Sequence, residues 1–369
     1  MIYFDSAATT LQKPDTVPAA VARAIGEATT PGRGEYGAAV YASRIMLACR
    51  TEAAELFGVS APDNVILTTN ATHGLNIAIK SLVSPGDRVV ISGYEHNAVT
   101  RPLQAVGDVS VQIVNGRLFD PEQMAEGFER AVTEDTAAVI CNQVSNVFGY
   151  ELPVDEIAAV CRRRGVPLIV DASQAAGLLP VDLMGWGAAY VAMPGHKGLY
   201  GPQGTGLLLC GKDAPVSTLL EGGTGSLSLQ QEMPEFLPDR LEAGTQNVHG
   251  AAGLLEGIRF VRKKGLQQIA AQERDVMAAL AEGVERTGRY RVFRDLQGKG
   301  GSVCSVVPLE ETPEAAAEYL AQKQVAVRAG LHCAPLAHMS AGTLRTGTLR
   351  FSASVFNTHE EVEAVLAMM

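Results

Sequence analysis

The sequence has little positive charge and no long hydrophobic run, and both absences exclude kinds of function. Its 369 residues contain 30 lysines and arginines against 40 aspartates and glutamates, a formal net charge of −10. This balance argues against nucleic acid and anionic membrane surfaces as main partners. No early stretch has the basic start and apolar core of a signal peptide, and no apolar run is long enough to span a bilayer. We therefore expect neither a nucleic-acid partner nor a membrane.

The six cysteines lack the spacing of a metal site or of a redox pair. The sequence contains no C-x-x-C pair and no arrangement of histidine and cysteine typical of zinc, so we expect no metal ion. Without a disulfide framework, a cytoplasmic protein in a reducing compartment fits best.

Apolar, strand-like runs alternate with helical segments along the first 210 residues. This alternation predicts a mostly parallel sheet with helices on both faces, whose ligand crevice lies beyond the carboxyl ends of the strands. With 47% hydrophobic residues the chain can bury a substantial core, in two or three domains or in one large α/β domain with a smaller partner. The predicted strands are 64–68, 88–91, 109–114, 137–141, 167–170, 188–193 and 207–210.

Helical periodicity predicts helices within this region and beyond it. The predicted helices are 14–28, 41–57, one from residue 75 onward, 121–132, 154–164 and 248–283. Later in the chain, short strands at 302–307, 324–328 and 348–352 alternate with helices at 312–323 and 358–368, as in a small α+β domain. The long irregular segment 221–247 is rich in Gly and Pro, and a segment of this kind usually has a function or reaches a partner subunit.

Four polar residues each follow the apolar run of a different predicted strand: His96, Asn146, Asp171 and Lys197. Because parallel strands end at the same edge of a sheet, we expect these side chains to meet in one site. Each also has an ordinary interpretation when taken alone. Asp171 suits a helix cap, Asn146 a turn, His96 a surface histidine and Lys197 a solvated lysine.

Lys197 lies in a loop of glycines and prolines between two predicted buried strands. A lysine that forms a Schiff base needs such a rigid loop at the mouth of a sheet. Pyridoxal phosphate needs this lysine, a carboxylate for its ring nitrogen, a flat side chain over its ring and a phosphate cradle. Lys197, Asp171, His96 and the strand-to-helix turn with Thr72 and Gly74 supply all four.

The chain resembles the class V aminotransferase superfamily and, within it, the cysteine desulfurases. The resemblance covers essentially the whole chain, in order. The matching stretches are Tyr3-Phe-Asp-Ser-Ala-Ala-Thr9, Asn70-Ala-Thr-His-Gly74, Glu95-His96, Val144-Ser-Asn-Val-Phe-Gly149, Val170-Asp-Ala-Ser-Gln174, Gly195-His-Lys197, Glu242-Ala-Gly-Thr-Gln-Asn247, Arg328-Ala-Gly-Leu-His-Cys333 and Leu349-Arg-Phe-Ser-Ala-Ser-Val-Phe-Asn-Thr358.

The resemblance implies the α/β fold of the pyridoxal-phosphate-dependent transferases, fold type I. We expect a large domain with a mostly parallel seven-stranded sheet and a small α+β domain at the C-terminus. The expected boundaries are 1–14 for an N-terminal arm associated with the small domain, 15–250 for the large cofactor-binding domain and 251–369 for the small domain, which carries the Cys333 loop.

The resemblance also implies roles around the cofactor ring. Lys197 would hold pyridoxal 5'-phosphate and then move protons on the substrate. Asp171 would pair with the ring nitrogen, and Gln174 and Asn146 would contact the ring hydroxyl. His96 would stack on the ring and act in acid–base steps.

The phosphate and the substrate carboxylate have their own implied residues. Ala71, Thr72, His73 and His196 would serve the phosphate. Thr245 would reach the phosphate of a neighbouring subunit, which implies a homodimer with shared active sites. Arg350 would bind the substrate carboxylate, with Asn146 nearby and Arg33 as a weaker candidate for the same face.

Cys333 separates a desulfurase from an aminotransferase. In the family it takes sulfur from the substrate L-cysteine as a persulfide and leaves L-alanine, and the sulfur serves iron–sulfur or thio-cofactor assembly. Arg328 and His332 are expected to favour its thiolate, whereas the other five cysteines read as small buried hydrophobes. The R-x-G-x-x-C pattern resembles the group II desulfurases, which often need a sulfur-acceptor protein.

Three other functions remain open at this stage. A selenocysteine lyase uses the same machinery, an ordinary aminotransferase would not need Cys333, and a sulfur-relay interaction protein would need no turnover. The sequence also departs from the family in several places: Pro194 stands where a hydroxyl residue commonly contacts the phosphate, Gly198 looks like an insertion after the lysine, Leu331 stands where a second histidine is frequent, and residues 32–36 differ. Ser173 and Thr224 are candidates to compensate for Pro194.

Overall fold

The computed structural model describes residues 1–32, 34–295 and 301–369. Its strands, in chain order, are β1 (Ile2–Tyr3), β2 (Val65–Thr68), β3 (Arg88–Ser92), β4 (Ser110–Val114), β5 (Thr136–Asn142), β6 (Leu168–Asp171), β7 (Tyr190–Pro194), β8 (Gly206–Cys210), β9 (Tyr290–Phe293), β10 (Val303–Pro308), β11 (Val325–Ala326), β12 (Arg328–Gly330) and β13 (Thr348–Ser352). Its helices are α1 (Thr16–Glu27), α2 (Gly37–Phe57), α3 (Ala71–Leu82), α4 (Asn97–Val106), α5 (Pro121–Ala131), α6 (Val154–Arg164), α7 (Leu183–Trp186), α8 (Val248–Lys264), α9 (Leu266–Arg286), α10 (Pro313–Gln322), α11 (Pro335–Ser340) and α12 (His359–Leu366).

Seven strands form the main sheet in the order β2-β8-β7-β6-β5-β3-β4. Every neighbouring pair is parallel except the two that involve β8, which runs antiparallel to both β2 and β7. The predicted mostly parallel, seven-stranded α/β sheet is therefore confirmed. Its parallel strands place their carboxyl ends at one edge, where the predicted site residues follow them.

The inner strands of this sheet read as apolar runs because helices cover both faces, whereas the edge strand β4 contains Gln112 and is mostly exposed. Val89 and Ile91 of β3 pack with α3 and α4 on one face, whereas Val90 packs with α5 and α6 on the other. Successive side chains of a strand point to opposite faces, so each residue has its own apolar layer to enter. In these inner strands the polar residues lie at the strand ends.

A second, antiparallel sheet has the strand order β12-β13-β10-β9 and its own hydrophobic cluster. The short strand β1 pairs in parallel with β11, which brings the N-terminus to this part of the chain. Phe4 is fully buried in the same cluster and packs edge-on against Phe351. The domain boundaries at residues 14 and 250 stay a prediction.

Several element boundaries differ from the sequence-based ones. Helix α3 begins at Ala71 rather than Leu75, because the Asn70 side chain accepts a hydrogen bond from the His73 N–H and caps it. The predicted helix 248–283 is two helices, which meet at Gly265 with a φ of 85°. Strands β1 and β9, helix α4 and the short helices α7 and α11 were not predicted.

Candidate active site

One cavity at the carboxyl ends of β3, β5, β6 and β7 collects eight of the predicted site residues. Its volume is about 110 Å³. The predicted residues that line it are Ala71, Thr72, His96, Asn146, Asp171, Gln174, His196 and Lys197, and they share it with Asn70, Ala98, Asn142, Val144, Ser173 and Pro194.

Lys197 lies in this cavity three residues after β7. Its carbonyl accepts the Tyr200 N–H at 2.8 Å, and the Gly201 N–H closes the same loop on the Gly195 carbonyl at 2.7 Å. Burial lowers the pKa of Lys197 to about 8, although the negative charge of Asp171 opposes that shift. No described residue accepts a hydrogen bond from its ammonium group, so the nitrogen is available to a ligand.

Asp171 is the last residue of β6 and is 4% exposed. Its Oδ1 accepts the Ser173 N–H at 2.9 Å. None of the described residues donates to Oδ2, so one carboxylate oxygen of this residue lacks a protein partner. Such an oxygen suits a cationic or N–H-bearing ligand.

His96 caps the first turn of α4 by accepting the Ala98 N–H on Nδ1 at 3.0 Å. Burial lowers the pKa of His96; the negative charge of Asp171 opposes that shift, and the positive charges of Lys197 and Arg101 add to it. The imidazole is therefore neutral at neutral pH. With Nδ1 accepting, its proton is on Nε2, which can donate into the cavity.

The first turn of α3 supplies backbone donors at the other end of the cavity. The Asn70 side chain occupies the His73 N–H, but no described group accepts from the N–H of Ala71 or Thr72. Unpaired N–H groups at a helix N-terminus favour an anion. His196 lies nearby with its Nδ1 3.0 Å from Thr9 Oγ1, and burial lowers its pKa to about 4.

Ser173 lines this cavity together with Pro194, as expected of a residue that replaces the missing hydroxyl. Thr224 lies elsewhere, with its hydroxyl 3.1 Å from Ser226 Oγ.

Two predicted phosphate residues lie outside this cavity. His73 and Thr245 line a neighbouring cavity of about 170 Å³, where His73 Nδ1 is 3.4 Å from Thr69 Oγ1. Arg33 lies outside the described residues.

Arg350, predicted to bind a carboxylate, is 1% exposed and already has a carboxylate partner within the chain. Its Nη2 forms an ion pair with Asp5 Oδ1 at 2.9 Å, and its Nη1 donates to the Asn146 carbonyl at 2.9 Å. Its buried Nε has no partner among the described residues. Asn146 itself donates from Nδ2 to the His332 carbonyl at 2.8 Å and keeps a buried, unpartnered Oδ1.

Besides the contact of Thr9 with His196, the N-terminal arm reaches the site through Asp5 and Ala7. Asp5 pairs with Arg350, and the Gln174 amide donates to the Ala7 carbonyl at 3.0 Å. The sequence motif around Asp5 was part of the family resemblance, but no role was predicted for its carboxylate.

Cys333 is the only exposed cysteine of the six, all of which lie within the described residues. Burial raises the pKa of Cys49, Cys161, Cys210 and Cys304 to about 12, so these thiols stay protonated.

The prediction that His332 favours the Cys333 thiolate is wrong. The ring is 5% exposed and burial lowers its pKa to about 2, so it carries no positive charge to favour a thiolate.

Glu95 is a site-adjacent acid for which no role was predicted. It is fully buried, its Oε1 accepts the Asn142 N–H at 2.8 Å, and its Oε2 has no described partner. Burial raises its pKa to about 8, and the nearby charge of Asp171 adds to the shift. The only sequence feature that pointed to Glu95 was its place in the Glu95-His96 pair of the family resemblance.

Comparison with known proteins adds the family. A family model described as aminotransferase class-V matches residues 2–365. A probable cysteine desulfurase of Methanothermobacter thermautotrophicus is 31% identical over 98% of this chain and 92% of its own length. One from Mycolicibacterium paratuberculosis is 30% identical over 99% of this chain, which spans 54% of that longer relative. A cysteine desulfurase of Thermococcus onnurineus, solved in its apo form, superposes with a TM-score of 0.92 at 27% identity, over all of this chain and 93% of that one.

Proposed function

The chain belongs to the aminotransferase class-V family, and from that premise we propose that it is a pyridoxal-phosphate-dependent cysteine desulfurase. It converts L-cysteine to L-alanine and leaves a persulfide on Cys333. The observation that carries this proposal is the position of Cys333. It is the one exposed cysteine, and its carbonyl accepts the N–H of Asn97, the residue after His96, at 2.7 Å.

The residues of the cavity fit the cofactor. Lys197 has a partner-free nitrogen, Asp171 has an unpartnered oxygen for a pyridinium N–H, and Ala71 and Thr72 offer unpaired N–H groups to a phosphate. His96 lines the same cavity and suits the ring face. When bound there, pyridoxal phosphate draws electrons from the substrate α-carbon and so makes the bond to sulfur breakable.

The chain's own groups carry the binding and the proton steps. Arg350 binds the substrate carboxylate. The unpartnered Oδ1 of Asn146 faces the amine end of the substrate. Lys197, with a pKa near 8, takes and returns protons at neutral pH. His96 donates from Nε2, which its cap on the Ala98 N–H leaves protonated.

The sulfur step balances without a further reactant. The Cys333 thiolate bonds to the substrate sulfur, the carbon–sulfur bond breaks, and its electron pair remains with the substrate carbon. That carbon takes one proton and becomes the methyl group of alanine. The sulfur keeps its hydrogen, so Cys333 ends as a persulfide, which a sulfur-acceptor protein or a reductant then removes to supply iron–sulfur or thio-cofactor assembly.

A homodimer with shared active sites completes this proposal. Thr245 reaches the cofactor phosphate of the partner subunit, which accounts for its absence from the cavity around Lys197. The irregular segment that precedes Thr245 exposes large apolar side chains that a second copy of the chain would cover: Leu220, Leu227, Leu229 and Phe236. In this proposal His73 serves the cofactor phosphate and Arg33 the substrate carboxylate. The proposed location of the enzyme is the cytoplasm.

Parallel yields of alanine and sulfide from L-cysteine with dithiothreitol test the function. We expect equal yields from the wild type, loss of both in Cys333→Ala with the yellow colour retained, and no loss in Cys210→Ala, which removes a buried thiol. Alanine formation that survives Cys333→Ala contradicts the persulfide. Turnover only with a keto acid makes the protein an aminotransferase, turnover only with L-selenocysteine makes it a selenocysteine lyase, and no turnover favours an interaction protein.

A further inference from the structure

The four-residue turn Leu331–Ala334, hereafter the Cys333 turn, has a backbone that its residues do not favour. The Ala334 N–H donates to the Leu331 carbonyl at 2.9 Å, and the two central residues, His332 and Cys333, have φ of 49° and 57°. Two consecutive left-handed residues normally require glycine or asparagine. Neither is present, so contacts outside the turn have to hold this conformation.

Two of those contacts act on the backbone carbonyls of the turn. The Asn146 side-chain amide donates to the His332 carbonyl at 2.8 Å, and the Asn97 N–H donates to the Cys333 carbonyl at 2.7 Å. Both donors belong to the segments that follow strands β5 and β3, next to the cavity that contains Lys197. They fix the two central carbonyls of the turn beside the cavity, and the strand pairing of Gly330 with Thr348 holds the residue before the turn.

The third contact is the buried imidazole of His332. Its Nε2 lies 3.2 Å from the Thr348 carbonyl and 3.1 Å from Thr348 Oγ1. Because a carbonyl only accepts, Nε2 carries the proton and donates to Thr348, the first residue of β13. Arg350 follows two residues later in the same strand. The ring therefore ties the residue before Cys333 to the strand that carries the proposed carboxylate-binding arginine.

We propose that His332 is a positioning residue, whose tether to Thr348 holds the Cys333 turn so that the thiol meets the substrate sulfur. This inference rests on the proposed desulfurase function. The imidazole takes no part in the chemistry itself. It acts through the turn, which explains why an uncharged, buried histidine precedes an exposed cysteine.

Three substitutions separate the tether from the turn conformation. Asparagine tolerates left-handed φ but is too short to reach Thr348, so His332→Asn keeps the turn and loses the tether. Glutamine is long enough to place an amide N–H near the position of Nε2, so His332→Gln restores the tether. His338→Gln is the control for the stacked ring, because His338 is also buried, its ring stacks on His332 with centroids 5.9 Å apart, and its Nδ1 lies 2.7 Å from Thr343 Oγ1 and does not contact Thr348.

Steady-state alanine formation by the holoenzyme is the first readout. We expect kcat to fall about tenfold to a hundredfold in His332→Asn with KM nearly unchanged, the size expected when a reacting group shifts by about 1 Å. His332→Gln recovers most of the loss, and His338→Gln keeps the wild-type kcat. The absorbance change of the bound cofactor on mixing with L-cysteine persists in all variants, because it precedes sulfur transfer.

The alkylation rate of Cys333 by iodoacetamide is the second readout and does not depend on turnover. We expect a rise of about threefold or more in His332→Asn, because the already exposed thiol of an untethered turn reaches more orientations that are open to the reagent. An unchanged alkylation rate, a wild-type kcat in His332→Asn, or an equal fall in His338→Gln overturns the tether. If the wild type forms no alanine, the proposed function fails, and the alkylation comparison still decides the role of His332.

Discussion

Arg350 and Asp5 form an ion pair of 2.9 Å between strand β13 and the N-terminal arm, at the place where the substrate carboxylate is proposed to bind. The Arg350 side chain is almost completely buried, whereas that of Asp5 is 21% exposed. Asp5 thus has two opposing effects on the substrate. Its oxygen orients the guanidinium, and its charge competes with a second carboxylate for the same cation.

Asp5→Asn and Asp5→Ala separate these two effects. Asparagine keeps an oxygen that accepts from Nη2 but removes the charge, so we expect KM for L-cysteine to fall about threefold to tenfold, the size of a partly screened charge pair. Alanine removes the acceptor as well, so Arg350 loses its orientation and KM rises. Steady-state kinetics at several ionic strengths measure both. A shift of KM in the same direction in the two variants rules out this division of roles.

Gly198 sets the position of the Lys197 loop through a close backbone approach. A Cβ at Gly198 would overlap the carbonyl oxygen of Ala176, so any side chain pushes the loop away from the segment that follows Asp171. We expect Gly198→Ala to lower the free energy of unfolding by about 1–3 kcal/mol and to weaken cofactor binding, measured by titrating the apoprotein with pyridoxal phosphate.

Gly26→Ala is the control for that change. Gly26 lies in helix α1 with open space around its Cα, so alanine there raises stability by up to about 1 kcal/mol through its helix propensity. Cofactor affinity equal to the wild type in both variants would show that the Gly198 contact does not position the lysine.

The sequence predicted best those features that depend on local pattern. The alternation of apolar runs and helices determined the main sheet, and strand-end positions located His96, Asp171 and Lys197 in one cavity. These succeed because burial on both faces of a parallel sheet restricts strands to apolar residues and leaves polar ones to their ends.

The features that escaped prediction depend on pairing between distant segments. Asp5 is 345 residues from Arg350, and no local pattern tells that the two charges meet. The neutral state of His332 likewise follows from its burial against β13, whereas its neighbours in sequence suggested a charged partner for Cys333. A residue's charge is a property of its tertiary surroundings, and sequence proximity is a poor guide to it.

Arg50 and Glu242 form a buried, two-pronged ion pair that anchors the segment leading to Thr245. The two bonds are 2.7 and 2.6 Å long, and Glu242 Oε1 also accepts the Leu67 N–H of β2 at 2.7 Å. Removing one partner leaves the other charge buried without compensation. We therefore expect Glu242→Leu to lower the free energy of unfolding by about 3–5 kcal/mol in urea denaturation.

The double variant Arg50→Met/Glu242→Leu tests that explanation. With both charges replaced by apolar groups, we expect it to be more stable than Glu242→Leu alone, because no unpaired charge remains. Additive losses from the two substitutions would mean that packing, and not the uncompensated charge, dominates.

Glu95 makes the stability of the protein depend on pH between about pH 4.5 and 8. Burial raises its folded-state pKa to about 8, whereas the unfolded value stays near 4.5. A raised pKa means that the folded state holds the proton more tightly, so this contribution is complete below about pH 4.5 and is lost as the pH rises to about 8. The loss is about 1.4 kcal/mol per pH unit near pH 6.5 and falls to about half that slope at pH 8.

Glu95→Gln removes this titration and keeps an oxygen that accepts the Asn142 N–H, so we expect its unfolding free energy to vary less between pH 6.5 and 8. The buried histidines do not interfere, because their lowered pKa values cost stability only as the pH falls below about 6.5. Glu273→Gln is the matched control. Burial raises the pKa of Glu273 only to about 7, so its contribution to stability is lost about one pH unit below that of Glu95. Urea unfolding at pH 6.5, 7.25 and 8 gives the unfolding free energy of all three proteins. If this free energy falls with pH equally in the wild type and in Glu95→Gln, Glu95 is not the group that titrates.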